Sequence, residues 1–263
     1  MAYVLICVII DGYLALTYWP RLPMFGDALS WWTISTNDLY GAATRSMIEW
    51  GAFRYSPIVG QVFAPLSSLP WLAYVWLLTT VQVALIVAMG RRRWWLVLIF
   101  PGTLLELWAG NIHLALAAIT VFGTRWPALW AGAVLTKITP GVGIVWFLVR
   151  REWRKAAIAV GCTAALAVAG ILIAPNLWAE WARALGVMSG LQSFSPFPPL
   201  VVRLPFAIAA IAWGARTDRL WLLPVGVFLA LPTIYPSGAA VLAGSVALWG
   251  RGRDVNPLRI LRP

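Results

Sequence analysis

A short polar stretch combines side chains that could act on a hydroxyl group with aromatic residues. Residues 20–56 hold three of the nine acidic residues of the sequence, Asp27, Asp38 and Glu49. They also hold aromatic residues at Trp31, Trp32, Tyr40, Trp50 and Tyr55. A carboxylate can accept the proton of a hydroxyl, and an aromatic ring can stack on a sugar. The stretch therefore favours a site that deprotonates an acceptor and binds a sugar.

Each of these acids also has a structural interpretation. Asp27 stands before Ala28 and would suit the N-cap of a helix. Asp38 and Glu49 are typical of solvated loop charges or helix caps. We assign the role of catalytic base to Asp27, and we take as further substrate-contacting candidates Trp31, Trp32, Asp38, Tyr40, Arg54 and Tyr55.

A single lysine interrupts the apolar sequence before a helix break. Lys137 is followed by Pro140 and Gly141, which end a helix and leave backbone groups in need of a polar environment. A lysine inside a membrane costs about 2.5–3.5 kcal/mol on insertion scales, so it faces a partner or a polar cavity. Two interpretations stay open: a structural ion pair with Asp11 or Glu106, or a cation that binds a lipid phosphate.

Another polar turn contains Asn111 and His113, the only histidine of the chain. A lone histidine is more often a hydrogen-bonded interior residue than a functional one, but this turn should face the same side as Asp27. Arg203 follows the second polar loop. We therefore predict that Asn111, His113, Lys137 and Arg203 surround one phosphate-binding pocket that opens toward Asp27.

The composition predicts the element type that positions these residues. The chain is 61% hydrophobic and 11% charged, with a mean hydropathy of +0.81. Soluble domains carry about 25% charged residues. Apolar runs such as Trp71–Met89 and Ala156–Ala174 approach the ~20 residues that a bilayer crossing needs. We predict an all-α, polytopic integral membrane protein, with residues 1–263 forming one membrane domain.

The basic residues indicate the orientation of that domain. The net charge of +11 does not form one basic face, which argues against nucleic acid as a partner. The arginines and lysines cluster at the ends of apolar runs, as expected for cytoplasmic loops. This pattern predicts about ten transmembrane or half-spanning helices and an uncleaved first helix. Extracytoplasmic loops are predicted at 20–56, the catalytic loop, and at 176–198.

Other site classes find little support in the sequence. Cys7 and Cys162 fall inside predicted helices, so we predict neither a disulfide nor a metal site. A cation held by Asp27 and Asp38 stays open, and no cofactor is predicted. Phosphate-binding glycine loops are absent from the sequence, and so is an internal repeat, which weighs against many transporter folds.

Several motifs together resemble glycosyltransferase family 87. They lie within about residues 20–205 and comprise Asp27-Ala-Leu-Ser-Trp-Trp, Asp38-Leu-Tyr, Phe53-Arg-Tyr-Ser-Pro57, Pro65-Leu-Ser-Ser-Leu-Pro70 with Trp76, Gly110-Asn-Ile-His113, Trp130-Ala-Gly, Leu135-Thr-Lys-Ile-Thr-Pro140, Arg150-Arg-Glu-Trp-Arg154, and Gln192-Ser-Phe-Ser with Arg203. The block around Lys137, with the basic residues after it, is the most specific part. The chain is shorter than typical members of the family.

The resemblance implies a GT-C-like fold and a bacterial inner-membrane mannosyltransferase of the cell envelope. Such an enzyme moves a sugar from a polyprenyl-phosphate donor to a glycolipid or glycan acceptor on the extracytoplasmic side. The proposed base of the family is an acid of the first outer loop, which matches Asp27 here. One displacement at the anomeric carbon would invert its configuration. The alternatives are a transporter or flippase of a lipid-linked sugar, and an inactive relative that acts as an assembly partner.

Two single cysteines test the predicted topology. In a chain whose Cys7 and Cys162 are replaced by serine, Asp38→Cys should react with a membrane-impermeant thiol reagent in intact cells. Arg92→Cys should react only after the membrane is permeabilised, because the basic clusters are predicted to be cytoplasmic. Labelling of both cysteines from one side would overturn this topology.

Overall fold

Helices make up the regular structure of this chain. The computed structural model describes residues 2–18, 20, 23–34, 39–41, 44, 52–190 and 197–249. No β-strand occurs among these residues, so the predicted all-α class is confirmed for this part of the chain. The α-helices, numbered in chain order, are α1 (Ala2–Tyr18), α2 (Gly26–Trp32), α3 (Pro57–Phe63), α4 (Trp71–Gly90), α5 (Trp94–Leu98), α6 (Thr103–Ala109), α7 (His113–Phe122), α8 (Trp130–Lys137), α9 (Val145–Val149), α10 (Trp153–Ile173), α11 (Pro175–Gly190), α12 (Leu200–Arg216), α13 (Leu222–Leu229) and α14 (Ala243–Leu248). Turns of 3₁₀ helix lie at Ala64–Ser68, Arg91–Arg93, Pro127–Leu129, Thr139–Ile144 and Pro236–Leu242.

Proline and glycine determine where several of these helices end. Pro70 is the N-cap of α4. Gly102 has a φ of +86° and separates α5 from α6, because a left-handed residue cannot continue a helix. Pro140 lies in the 3₁₀ turn that follows Lys137. The apolar stretches 94–109 and 130–149 are therefore divided into short helices.

Two segments are long and apolar enough to cross a membrane, Trp71–Leu98 and Trp153–Ile173. The shorter apolar helices of the described chain are Ala2–Tyr18, His113–Phe122, Thr139–Val149 and Pro236–Leu248. A helix of ten residues is about 15 Å long, half of a hydrocarbon core of about 30 Å. Length and composition thus identify two candidate full crossings in the described residues. The predicted number of about ten transmembrane or half-spanning helices stays a prediction.

Large apolar side chains remain exposed along three helices. Leu16 of α1 is 82% exposed, Trp76 of α4 is 70% exposed and Leu172 of α10 is 79% exposed. Exposed apolar surface on this scale indicates contact with lipid or with another protein. The outer faces of α1, α4 and α10 are therefore suited to an apolar environment.

Helix α7 lies at the centre of the described structure. It packs against α4, α8, α13 and α14 and against the turn Pro236–Leu242. Seven of its ten residues are buried, including His113 at its first position. A helix that is buried on nearly every side is expected for an apolar sequence inside a bundle. The first residue of α7 is therefore held firmly by the surrounding helices.

The start of α7 and the end of α8 meet at one end of the bundle, where Lys137 Nζ lies 3.0 Å from His113 Nε2. We call this the Lys137 end. The segments after α7 and α9 lead to the opposite end, which carries Arg125 and Arg150. Arg150 donates to Glu152 at 3.0 Å and also bonds to Asp218, which joins helices α9, α10 and α12 there. Lys137 and Arg150 thus lie toward opposite ends of the bundle.

Gly110 allows α2 to approach the turn before α7. Its φ is +67°, and a Cβ atom at this position would lie 2.7 Å from Ala28 Cβ. A left-handed residue other than glycine costs about 1–2 kcal/mol, and overpacking costs about 1–3 kcal/mol more. We expect Gly110→Ala to reduce the free energy of unfolding by about 2–4 kcal/mol, measured by thermal unfolding of the purified protein in detergent.

Gly161→Ala is the matched control for this substitution, since a Cβ atom at Gly161 meets nothing within 4 Å. It should leave the midpoint unchanged or raise it slightly. Equal midpoints for the two variants would contradict the close approach of α2 to Gly110.

Candidate active site

Asp27 is held at the Lys137 end by the seating of α2. The backbone N–H of Phe25, which has a φ of +57° before the helix, donates to the Trp108 carbonyl at 2.7 Å. Ala28 then rests against Gly110. Asp27 lies in the first turn and is partly buried, and Phe25 is the N-cap without a side-chain hydrogen bond. The alternative interpretation of Asp27 as an N-cap residue is therefore wrong.

Asn111 connects Asp27 to the bundle. Its Nδ2 donates to Asp27 Oδ2 at 2.7 Å, and its Oδ1 accepts from the Ile112 backbone N–H at 2.7 Å and from the Tyr55 hydroxyl at 3.3 Å. Two donors on Oδ1 fix the orientation of the amide. The Asn111 carbonyl accepts from Gln82 Nε2 of α4 at 2.8 Å. The Asp27 carboxylate is thus oriented by a residue with four hydrogen bonds, three through its side chain and one through its backbone carbonyl.

A second chain of hydrogen bonds runs from Glu106 to Lys137. Glu106 and His113 are completely buried. Glu106 accepts from the His113 backbone N–H at 2.5 Å and lies 2.8 Å from His113 Nδ1. Lys137 Nζ lies 3.0 Å from Nε2 of the same ring. His113 therefore stands between a carboxylate and an ammonium group.

The backbone after Lys137 is strained, which fixes where the lysine stands. Ile138 has a φ of +44°, a conformation that β-branched residues rarely adopt. Gly141 lies so close to α8 that a Cβ atom there would be 2.5 Å from a methyl carbon of Val134.

The Ser56 hydroxyl donates to the Leu135 carbonyl at 2.5 Å, which brings the end of the first polar loop to α8.

The charges around Asp27 affect its proton affinity. Burial raises the pKa of Asp27 above its ordinary value, and the negative charge of Glu106 adds to this. The hydrogen bond from Asn111 and the positive charge of Lys137 lower the pKa and partly offset the rise. A carboxylate with a raised pKa is a stronger base, and it is matched to proton transfer nearer neutral pH.

The predicted aromatic contacts lie mostly in the protein interior. Trp31 stacks on Tyr55 with ring centroids 4.0 Å apart, and both rings are buried. The Tyr40 hydroxyl donates to the Tyr55 carbonyl at 2.9 Å, and Trp32 Nε1 donates to the Leu69 carbonyl at 2.9 Å. Trp31 and Trp32 thus pack α2 against the residues that follow it, while contact of these aromatic residues with a substrate stays a prediction.

The remaining predicted residues are placed differently. Arg203 is buried and donates to the carbonyls of Pro198, Leu229, Leu231 and Pro232 at 2.6–3.1 Å. The structure therefore brings Asn111, His113 and Lys137 together but directs Arg203 to the backbone before α12 and after α13. Arg54 is half-buried, and its charge acts on Lys137. Asp38 and Glu49 lie outside the described residues.

Of the two acids considered as partners of Lys137, one belongs to its hydrogen-bond chain. Glu106 reaches the lysine through His113, whereas Asp11 Oδ1 accepts from the Gly102 backbone N–H at 3.2 Å. Asp11 borders a cavity of about 310 Å³ between α1 and residues 99–105, away from the Asp27 site. Gln82, which donates to the Asn111 carbonyl, was not among the predicted site residues. A glutamine within an apolar run was the signal in the sequence that could have identified it.

Metal ligands do not converge in the described part of the chain. No group of three or more histidine, cysteine, aspartate or glutamate residues there could hold a metal ion. Cys7 and Cys162 are both free thiols. The side chains that do converge are two carboxylates, an amide, an imidazole and an ammonium group.

A family model for glycosyltransferase family 87 matches residues 53–261, well over half of the chain. The chain therefore belongs to glycosyltransferase family 87, as its motifs predicted. Comparisons with curated proteins and with solved structures gave no match. The matched range includes Asn111, His113 and Lys137, whereas Asp27 lies before it.

Asn111 offers a test of the oriented carboxylate. Asn111→Ala removes the hydrogen bond that lowers the Asp27 pKa, so the pKa should rise further. If deprotonated Asp27 is the active form, the acidic limb of kcat/KM against pH should move to higher pH. Hydrogen bonds to charged groups contribute about 1.5–3 kcal/mol, so transfer should fall about 10- to 100-fold.

Tyr55→Phe serves as the comparison, because it removes only the 3.3 Å bond to Asn111 Oδ1. Its effect on transfer should be smaller, and its acidic limb should stay close to that of the wild type. An unchanged acidic limb in Asn111→Ala would show that Asn111 does not affect the ionisation of Asp27.

Proposed function

We propose that this chain is a membrane glycosyltransferase that moves a hexose, mannose in our proposal, from a polyprenyl-phosphate donor to a hydroxyl of a lipid-linked or glycan acceptor. The transfer would occur on the extracytoplasmic side of a bacterial inner membrane. The observation that carries the proposal is the meeting of Asp27 and Lys137 at one end of the bundle. Asn111 donates a hydrogen bond to Asp27, and His113, two residues later, contacts the Lys137 ammonium group.

Asp27 is the proposed base. Asn111 occupies Oδ2 at 2.7 Å, and within the described residues no hydrogen bond is recorded to Oδ1. That oxygen can accept the proton of an acceptor hydroxyl while Asn111 keeps the carboxylate in place. The charge that develops on the acceptor oxygen then attacks the anomeric carbon of the donor. A single displacement of this kind inverts the anomeric configuration.

Lys137 is the proposed ligand of the donor phosphate. A sugar linked to a polyprenyl phosphate already has a good leaving group, so the reaction needs a cation rather than a strong acid. The phosphodiester gains a second negative charge as the bond to the sugar breaks, and an ammonium group stabilises that charge. Arg54, whose charge acts on Lys137, adds to the positive potential.

Arg203 has no place in this phosphate site. Its guanidinium group holds the backbone between α13 and the turn Pro236–Leu242 through three carbonyls, and it also bonds to Pro198. We propose that it stabilises the border of the site instead. The buried rings of Trp31 and Tyr55 play a similar supporting part beneath Asp27.

Membrane insertion rests on the outer surfaces of the helices. Two segments have the length and composition of full crossings, and the large side chains exposed on α1, α4 and α10 are apolar. We propose that the Arg150 end faces the cytoplasm, because basic residues are retained on that side. The Lys137 end then faces the extracytoplasmic side.

The arrangement favours an enzyme over the two alternatives. A transporter is expected to distribute charged groups along a path, whereas Asp27, Glu106, His113 and Lys137 gather at one end of α7. An inactive relative would have no reason to keep the Asp27 carboxylate beside a cation. We therefore place both alternatives second.

Replacing the base should separate chemistry from binding. We expect Asp27→Asn to lower transfer from a radiolabelled polyprenyl-phosphate mannose by about 10²- to 10⁴-fold, while donor binding and protein level change little. The measurement is the initial rate in membranes of cells that express each variant. The anomeric configuration of the product, read by NMR, tests inversion.

Asp38→Asn and Glu49→Gln are the controls for Asp27→Asn, and both should have milder effects. Equal losses in all three variants would indicate a metal site or folding of the loop. Near wild-type transfer by Asp27→Asn would remove Asp27 from the mechanism.

A further inference from the structure

We propose that Glu106 is a positioning residue for donor binding, and that it acts by fixing the tautomer of His113 and through it the direction of the Lys137 ammonium. The proposal rests on the function proposed above, since it assigns Lys137 to the donor phosphate. Glu106 itself would touch neither substrate. Its role would be to prepare the cation that does.

Both oxygens of Glu106 are used on one residue. Oε1 accepts from the His113 backbone N–H at 2.5 Å, and Oε2 lies 2.8 Å from His113 Nδ1. Neither side chain is exposed, and a buried carboxylate is costly unless it is hydrogen-bonded. The carboxylate also stands at the start of α7, where the helix dipole favours a negative charge. These contacts favour an ionised Glu106 in one orientation.

An ionised Glu106 determines which nitrogen of His113 carries the proton. A carboxylate only accepts hydrogen bonds, so Nδ1 must donate, and Nε2 of the neutral ring keeps its lone pair. Lys137 has donors only, and its Nζ lies 3.0 Å from that Nε2. Hydrogen-bond donation therefore runs in one direction only: the ammonium group donates to the ring, and the ring donates to the carboxylate.

The imidazole also acts as a spacer. In a direct Lys137–Glu106 ion pair, the carboxylate would lie beside the donor phosphate and repel it. With His113 between them, Glu106 still offsets the charge of Lys137 in the resting protein, but it does so through the ring. One ammonium proton is directed to Nε2, and two remain for phosphate oxygens.

Glu106→Gln should reverse the direction of hydrogen-bond donation between Lys137, His113 and residue 106, with little change in side-chain volume. The Gln oxygen would accept from the His113 backbone N–H, so its NH₂ group would face Nδ1. His113 would then carry its proton on Nε2 and direct it at Lys137, placing two donors against each other. Loss of a charge-assisted bond at this site should raise the donor KM about 10- to 100-fold, with a smaller change in kcat.

The tautomer can be read directly because His113 is the only histidine of the chain. Protein labelled with ¹⁵N-histidine, purified without a histidine tag, should show Nδ1 protonated and Nε2 unprotonated at pH 7. In Glu106→Gln the proton should be on Nε2. An Nε2-protonated or doubly protonated ring in the wild type would overturn the proposal. This measurement needs no transfer activity, so it stands apart from a failure of the proposed function.

A double-substitution cycle tests whether Glu106 acts through Lys137. In a Lys137→Met background, Glu106→Gln should add no further rise in the donor KM. An undiminished effect there would overturn the positioning role.

Thr103→Val is the matched control, since it removes a buried 3.0 Å hydrogen bond from α6, the helix of Glu106, without touching His113. It should lower thermal stability and leave both the tautomer and the donor KM unchanged. A shift in the donor KM of this control equal to that of Glu106→Gln would assign the effect to folding and also overturn the proposal.

Discussion

The bond between Asn111 Nδ2 and Asp27 Oδ2 joins the first polar loop to the central helices, and the rest of the site depends on it. A partly buried carboxylate needs a donor, and Asn111 can serve because its other polar atoms are already occupied. Gln82 holds its carbonyl, and the Ile112 N–H holds Oδ1. The loop that carries Asp27 is thus positioned by a turn of the bundle rather than by its own sequence.

Two neighbouring residues divide the work at this turn. Asn111 donates to the Asp27 carboxylate, and His113 contacts the Lys137 ammonium group. Ile112 between them packs into the apolar interior. Because α7 is buried on nearly every side, small movements at its first turn are resisted by packing. The distance between carboxylate and ammonium is therefore set by one helix start, as the transfer proposed above requires of its base and its phosphate ligand.

Much of this arrangement was predictable from the sequence, for a simple reason. Helix breaks beside Asn111, His113 and Lys137 in consecutive short hairpins place those residues at the same end, and Asp27 belongs to the loop on that side. The contacts of Arg203 were not predictable, because its partners are carbonyls that only tertiary packing brings near. The aromatic residues were also ambiguous, since Trp31 in a loop can equally bind a sugar or pack under a helix. The division of apolar runs into short helices was also hard to predict, because proline and glycine interrupt runs that composition treats as continuous, and the number of membrane-spanning helices stays a prediction.

The contact between Gln82 and Asn111 also sets the depth of the site. Gln82 lies about 16 Å from the start of α4 and about 12 Å from its end, so the turn that holds Asp27 is level with the middle of a helix long enough to span a bilayer. In the orientation proposed above, a donor phosphate entering from outside crosses about half of the transmembrane electric field. With the cell interior negative, that displacement opposes binding by about 1 kcal/mol per elementary charge for each 100 mV. Under the proposed function, the membrane potential is thus one of the forces that set how tightly the chain would hold its donor.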